Sequence, residues 1–229
     1  MDPLGSLWLW AGMLVVAFVC GSVPFGLLAG FLRGVDIRQH GSKNIGATNA
    51  VRVLGRPVGY VVFVLDVLKG TAPVLVAGWL LGALGGVAPD AVVMWKWLAV
   101  AMSAVLGHVF SPWVGFKGGK GVATGFGALL GVYPVITFAA IGAFVLWVVV
   151  VRLSRYVSLA SIAAAAGLPV LVLASPVVLG WVGMGGGGIS AVLPAAVVTG
   201  VLGVLVIFKH RGNVRRLVAG SESKIGQGK

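Results

Sequence analysis

Cysteine occurs once in the 229 residues, at Cys20 inside an apolar run. Without a second thiol there is no disulfide and no cysteine-ligated metal site, and Cys20 reads as a packing residue. Charge is equally sparse, with Asp, Glu, Lys and Arg making up 10% of the chain against 59% hydrophobic residues. Mean hydropathy is +1.07, which leaves too little polar surface to coat a globule. A soluble fold is excluded, and the chain reads as an integral membrane protein. Spans of about 20 residues each consume most of its length, so 1–229 reads as a single membrane-embedded domain with no separate soluble one. No long-period repeat stands out. The first apolar run lacks a basic n-region, is too long for an ordinary h-region and is followed rather than preceded by Arg33. It is therefore expected to stay as a helix and not to be cleaved as a signal peptide.

What is present is a series of apolar runs near 7–32, 58–84, 91–109, 122–130, 133–151, 159–181 and 189–208. The expected fold is an all-α polytopic membrane protein with about seven transmembrane helices. Residues 122–130 are too few to cross about 30 Å, so this run is a half-helix or a part of the next span around Pro134, and six spans is the alternative count. The formal charge of +12 invites a nucleic-acid reading, but in a membrane chain it reports topology, because cytoplasmic loops collect Lys and Arg. The connections at 85–90, 131–132 and 182–188 carry no Lys or Arg. The alternate connections and the tail hold fifteen of the seventeen cations, leaving only Lys69 and Lys96 outside the pattern. This distribution predicts an outside N-terminus and a cytoplasmic C-terminus, in the plasma (inner) membrane, with no nucleic-acid partner. The stretch "MGGGGI" at 184–189 reads as an outward turn.

Against this background "GFKGGKGVATG", residues 115–125, concentrates glycine and two lysines on the cytoplasmic side, running into the start of a helix. Glycines let successive backbone N–H groups converge, a helix N-terminus adds unsatisfied donors, and lysines add full charge, so the natural guest is a phosphate. A Walker A loop is not what this is: Gly121 follows Lys120 where Ser or Thr is required, and a membrane helix precedes it where a strand is required. An ordinary cytoplasmic loop explains the lysines but not the core Gly118, Gly119, Lys120, Gly121.

Two further segments share this chemistry. "DIRQHGSKNIGATNAVR", residues 36–52, offers Ser42, Asn44, Thr48 and Asn49 as donors and Arg52 as a planar fork for phosphate oxygens. The tail "KHRGNVRRLVAGSES", residues 209–223, puts His210 and Asn213 three apart, on one face at helical spacing, beside three arginines. For His210 a headgroup or capping role is the alternative. Asp66 and Lys69, three apart inside a span, are expected to neutralise each other.

The chain resembles the bacterial membrane acyl-phosphate:glycerol-3-phosphate acyltransferases, the PlsY family, over nearly its whole length. The resemblance is carried by "GSVPFG" (21–26), "HGSKNIGATNAVR" (40–52), "LDVLKG" (65–70), "GHVFSPWVGFKGGKGVAT" (107–124), "RYVSLAS" (155–161) and "HRGNVRRLVAGSE" (210–222). Ser111 departs from the proline more usual after that phenylalanine, and since Pro112 follows, it reads as a loop variation that leaves the site intact. The resemblance implies seven helices, a cytoplasmic active face, and transfer of a fatty acyl group from acyl phosphate to the 1-hydroxyl of glycerol 3-phosphate. The products are lysophosphatidic acid and phosphate, with membrane lipids around the chain and an acyl-phosphate-producing enzyme as a further partner. It calls for no cofactor and no metal.

Carried over residue by residue, Lys120, Arg52 and Ser42 are expected on phosphate, Asn44 and Thr48 in support of their loop, and Ser158 in the pocket lining. The backbone of Gly118, Gly119 and Gly121 is expected to cradle the acyl phosphate, and His210 with Asn213 to orient the glycerol hydroxyls. Glu222, the only acid of the tail, fixes Arg215 or Arg216 or accepts from a glycerol hydroxyl. Either His210 or a phosphate oxygen of the donor takes the hydroxyl proton, and substrate assistance is preferred. His108 and His40 read as helix-end or loop neighbours. A transporter or channel for phosphate esters is the alternative function, although transporters place their binding groups near the midplane of repeated halves.

Overall fold

The structure, a computed structural model, describes residues 3–184 and 189–226. The glycines at 185–188, read as part of an outward turn, lie outside the described residues. All regular structure among the described residues is helical. Six helical segments there are long and apolar enough to cross a membrane: Leu7–Phe31, Arg56–Leu80, Ala91–Val114, Thr137–Ser154, Val157–Gly180 and Val192–Lys209. The fold is thus an all-α polytopic membrane protein. The short run is a separate ten-residue helix, Val122–Gly131, and the chain turns before the next helix begins at Thr137. It does not extend the following span.

The chain divides into two compact units, Met1–Leu84 with Trp95–Val132, and Gly85–Met94 with Tyr133–Lys229. The first holds α1 (Pro3–Ser22), α2 (Phe25–Phe31), α3 (Ala47–Leu54), α4 (Arg56–Leu80), nearly all of α5 (Ala91–Val109) and α6 (Val122–Gly131). Pro24, which cannot donate an N–H, separates α1 from α2 inside what reads as one apolar run. Helix α4 packs against α1, α2, α3 and most extensively α6. The α4–α6 approach is backbone to backbone: a Cβ at Gly70 would overlap the Thr124 carbonyl, and one at Gly127 the Val67 carbonyl. Thr71 Oγ1 donates to Gly127 O across the seam at 2.8 Å. Small residues serve this purpose in lipid, where contact between helices has to come from van der Waals packing and hydrogen bonds. Trp97, fully buried, donates its indole N–H to Val74 O at 2.7 Å.

The second unit holds α7 (Thr137–Ser154), α8 (Val157–Trp181), α9 (Ile189–Lys209) and α10 (Arg211–Val218). Helix α8 packs between α7 and α9, and α10 rests on α8 and α9. The chain after α10 is tied to the α7–α8 junction: Ile225 N–H donates to Arg155 O at 2.8 Å, and Arg155 Nη2 donates back to Ile225 O at 3.0 Å.

Candidate active site

In the first unit the segment before α3 is folded around one buried amide. Asn49 Nδ2 donates to the carbonyls of Ile37 (2.8 Å) and His40 (3.2 Å), while its Oδ1 accepts from Ser42 N–H (2.8 Å). The donors that the sequence offers at Asn49 go to its own loop, and Ser42 is left exposed at the surface that loop presents. Asn44 accepts from Gly46 N–H at 3.0 Å and so shapes the turn that opens α3. Thr48 and Arg52 are exposed on α3. Arg38 is committed elsewhere: its side-chain bonds, with its backbone N–H, hold the Asp36 carboxyl below its usual range.

The glycine-rich connection belongs to the same unit. Ile37 and Ile45 of the first segment, Leu27 of α2 and Val114 of the second segment form one buried apolar cluster. Ser42 and Lys120 therefore lie on connections that share a core. The N–H of Gly118 donates to Val109 O and that of Gly119 to His108 O, each at 3.2 Å. Those two donors are spent within the loop, and the N–H groups without a partner inside a helix are the first ones of α6. Gly121, the residue before α6, sits at φ +81°, a left-handed conformation that favours glycine. Lys120 is half-buried immediately before it.

Beneath this loop lie three buried ionisable side chains. Lys69 Nζ is 2.7 Å from Asp66 Oδ1 and donates to Val23 O at 2.6 Å. His108 Nδ1 is 4.0 Å from the same Asp66 oxygen. The expected Asp66–Lys69 neutralisation is thus present, and His108 is the loop's neighbour.

In the second unit Glu222 is a hub. Its Oε1 accepts from Ser158 Oγ (2.7 Å) and Asn213 Nδ2 (2.6 Å), and its Oε2 from Arg216 Nε (2.7 Å). Burial pushes the carboxyl's pKa up, but the bonds from Asn213, Ser158 and Arg216 outweigh it and hold the group below its ordinary value. The ion-pair reading of Glu222 holds, with Arg216 as partner. Its joint hold on Ser158 and Asn213 was not legible, because the only hint was a lone acid in a basic tail. His210, the N-cap position of α10, is buried, and its Nδ1 lies 2.8 Å from Val206 O. A carbonyl oxygen only accepts, so Nδ1 carries a hydrogen. Asn213 N–H bonds His210 O at 2.8 Å, fixing the two in adjacent positions of the same turn.

Cationic, glycine- and amide-rich connections at the ends of membrane helices define an integral membrane enzyme that handles phosphate-bearing substrates. The glycerol-3-phosphate acyltransferase family matches residues 11–220. A glycerol-3-phosphate acyltransferase of Geobacter sulfurreducens is 44% identical over 93% of this chain and 95% of its own, and that of Trichlorobacter lovleyi is 44% identical over 91% and 93%. The crystal structure of PlsY, an integral membrane glycerol 3-phosphate acyltransferase, in its glycerol 3-phosphate form is similar with a TM-score of 0.75 and 35% identity, covering 95% of this chain and 96% of that one. Its lysophosphatidic acid form gives 0.74 and 34%, covering 95% of each chain. The chain belongs to the glycerol-3-phosphate acyltransferase family.

Proposed function

We propose that the chain moves a fatty acyl group from acyl phosphate to the 1-hydroxyl of glycerol 3-phosphate, giving lysophosphatidic acid and inorganic phosphate. The observation that carries this reading is the core shared by Ile37, Ile45 and Val114, which anchors the Ser42 and Lys120 connections together. Two anionic reactants repel, so several cations and oriented donors are needed to hold them. The relatives' glycerol 3-phosphate and lysophosphatidic acid forms support the same acceptor and product here.

Lys120, Arg52 and Ser42 engage phosphate, with Asn44 and Thr48 shaping the Ser42 loop. Gly118 and Gly119 give the second loop its close turns, and Gly121 leads into the α6 donors that meet the acyl phosphate. His210 and Asn213 orient the glycerol hydroxyls, while Glu222 holds Asn213 and Ser158 in place. The 1-hydroxyl oxygen attacks the acyl carbonyl carbon, and the bond from that carbon to the phosphate oxygen breaks. The hydroxyl proton passes to a phosphate oxygen of the donor. Acyl phosphate is already activated, so no acyl-enzyme is required, and positioning supplies most of the rate.

The cation distribution supports an outside N-terminus, a cytoplasmic C-terminus and a cytoplasmic active face in the plasma membrane. Both units are read as parts of one acyltransferase domain, 1–229, supplied by an acyl-phosphate-producing enzyme. Purified protein given acyl phosphate and glycerol 3-phosphate is expected to release lysophosphatidic acid, with turnover at least ~100-fold lower in Lys120→Ala. Acyl-CoA is not expected to replace acyl phosphate. Uptake of phosphate ester into proteoliposomes without acyl product would overturn the reading in favour of transport.

A further inference from the structure

Gly119 is not in the left-handed region, so its backbone conformation is open to any residue. What it lacks is space. An ideal Cβ there would overlap His108 Nε2 and its neighbouring ring carbons, and a Cβ at Gly118 would overlap the His108 carbonyl oxygen. That same carbonyl accepts the Gly119 N–H. One residue therefore occupies the side-chain volume at two consecutive loop positions and anchors the backbone of one. The imidazole lies between two neighbours, with Nδ1 on the Asp66 side, 4.0 Å from Oδ1, and Nε2 on the Gly119 side. Asp66 is in turn held by Lys69, whose ammonium is fixed by Val23 O and lies over the Phe25 ring, 5.5 Å from its centre. All these residues are in the first unit, and Asp66, Lys69 and His108 are buried.

We propose that His108, backed by Asp66, is a positioning residue that moulds the loop carrying Gly118, Gly119 and Lys120 and thereby sets the enzyme's affinity for the phosphate group that loop receives. Helix α4 thus acts on a substrate through an imidazole that does not touch it. The inference rests on the reading that this loop receives acyl phosphate, and it predicts a specific kinetic signature. A displaced loop holds acyl phosphate less tightly in the ground state and the transition state alike and leaves the other substrate, so KM for acyl phosphate rises while kcat changes little.

The test is a kinetic cycle on purified, folded protein with acyl phosphate and glycerol 3-phosphate each varied, using His108→Asn, His108→Ser, Asp66→Asn, Gly119→Ala and Gly119→Ala with His108→Ser. His108→Asn and Asp66→Asn are expected to raise KM for acyl phosphate about tenfold, with kcat and KM for glycerol 3-phosphate within about threefold. Gly119→Ala should show the same signature. Removing the ring in the double variant frees the volume the new methyl needs, so its KM should lie below the product of the single effects. Effects that multiply independently in the cycle, or a uniform fall in kcat with both KM values unchanged, would overturn the proposal. If Gly119→Ala raises KM for acyl phosphate and His108→Asn leaves it unaltered, the inference fails and the acyl-phosphate reading stands. If both raise KM for glycerol 3-phosphate instead, the inference stands and that reading fails. Should the His108 variants not fold, Gly119→Ala alone decides, since an unchanged KM for both substrates there means the ring does not govern the loop.

Discussion

Asn213 Nδ2 donates to Glu222 Oε1 at 2.6 Å, joining α10 to the chain that follows it. The same oxygen accepts from Ser158 on α8, so one carboxylate ties three separate stretches of the second unit together. Substitution Glu222→Gln keeps the shape but turns an acceptor edge into a donor edge. If the amide oxygen keeps Asn213 and Ser158, its NH2 faces Arg216 Nε. Hydrogen bonds to charged groups contribute about 1.5–3 kcal/mol, and Arg216 is half exposed, so its part is screened. A loss of about 2 kcal/mol is expected, read as a lower thermal midpoint in detergent.

That stabilisation depends on pH in a fixed direction. The Glu222 carboxyl is lowered in the folded protein from an unfolded value of about 4.3. Its contribution is therefore complete above the unfolded value and is lost as pH falls through the folded one. Wild type and Glu222→Gln should differ most at pH 6–7, by about the loss given above, and converge on acidification. A gap that widens below pH 4 would contradict the assignment.

Asn49 offers a separate test of how the first loop presents Ser42. Asn49→Ala leaves the Ile37 carbonyl without its partner in a buried setting and the Ser42 N–H without its partner in a part-buried one, at a cost of about 1–3 kcal/mol. Asn49→Asp retains the acceptor for Ser42 N–H but removes both donors. Activity should fall in both, and more steeply in Asn49→Ala if the Ser42 bond matters most. Steady-state rates alongside melting curves separate the two effects.

The spans, the cation asymmetry and the three polar connections could be read from sequence because each is a property of a contiguous stretch. Apolar length marks α4, α5, α7, α8 and α9, and Pro24 marks a break whose consequence, the separation of α2, lies in the backbone. Asp66 and Lys69 pair because three-residue spacing on a helix brings them together. What escaped the sequence is long-range. Ser158 meets Glu222 across 64 positions, and Gly119 meets the His108 ring only because the chain doubles back after Phe116, whose N–H bonds Ser111 O. The amides illustrate the same limit: Asn44, Asn49 and Asn213 look alike as donors, yet Asn49 is consumed inside its own loop.

The two adjacent loop glycines should not respond alike to alanine. At Gly119 the obstacle is the tip of a buried imidazole, a side chain that a substitution at His108 removes. At Gly118 it is the His108 carbonyl, with Val109 O also close, and backbone at the end of a packed helix cannot move aside. Gly118→Ala therefore has to displace the loop itself and break the Gly118 N–H bond to Val109 O. Its loss in kcat/KM should exceed that of Gly119→Ala by at least about tenfold, the equivalent of 1.4 kcal/mol, and His108→Ser should not rescue it as it rescues Gly119→Ala. Equal losses in the two variants, or rescue of Gly118→Ala by removal of the ring, would mean that the loop yields at its backbone and that His108 does not define its shape.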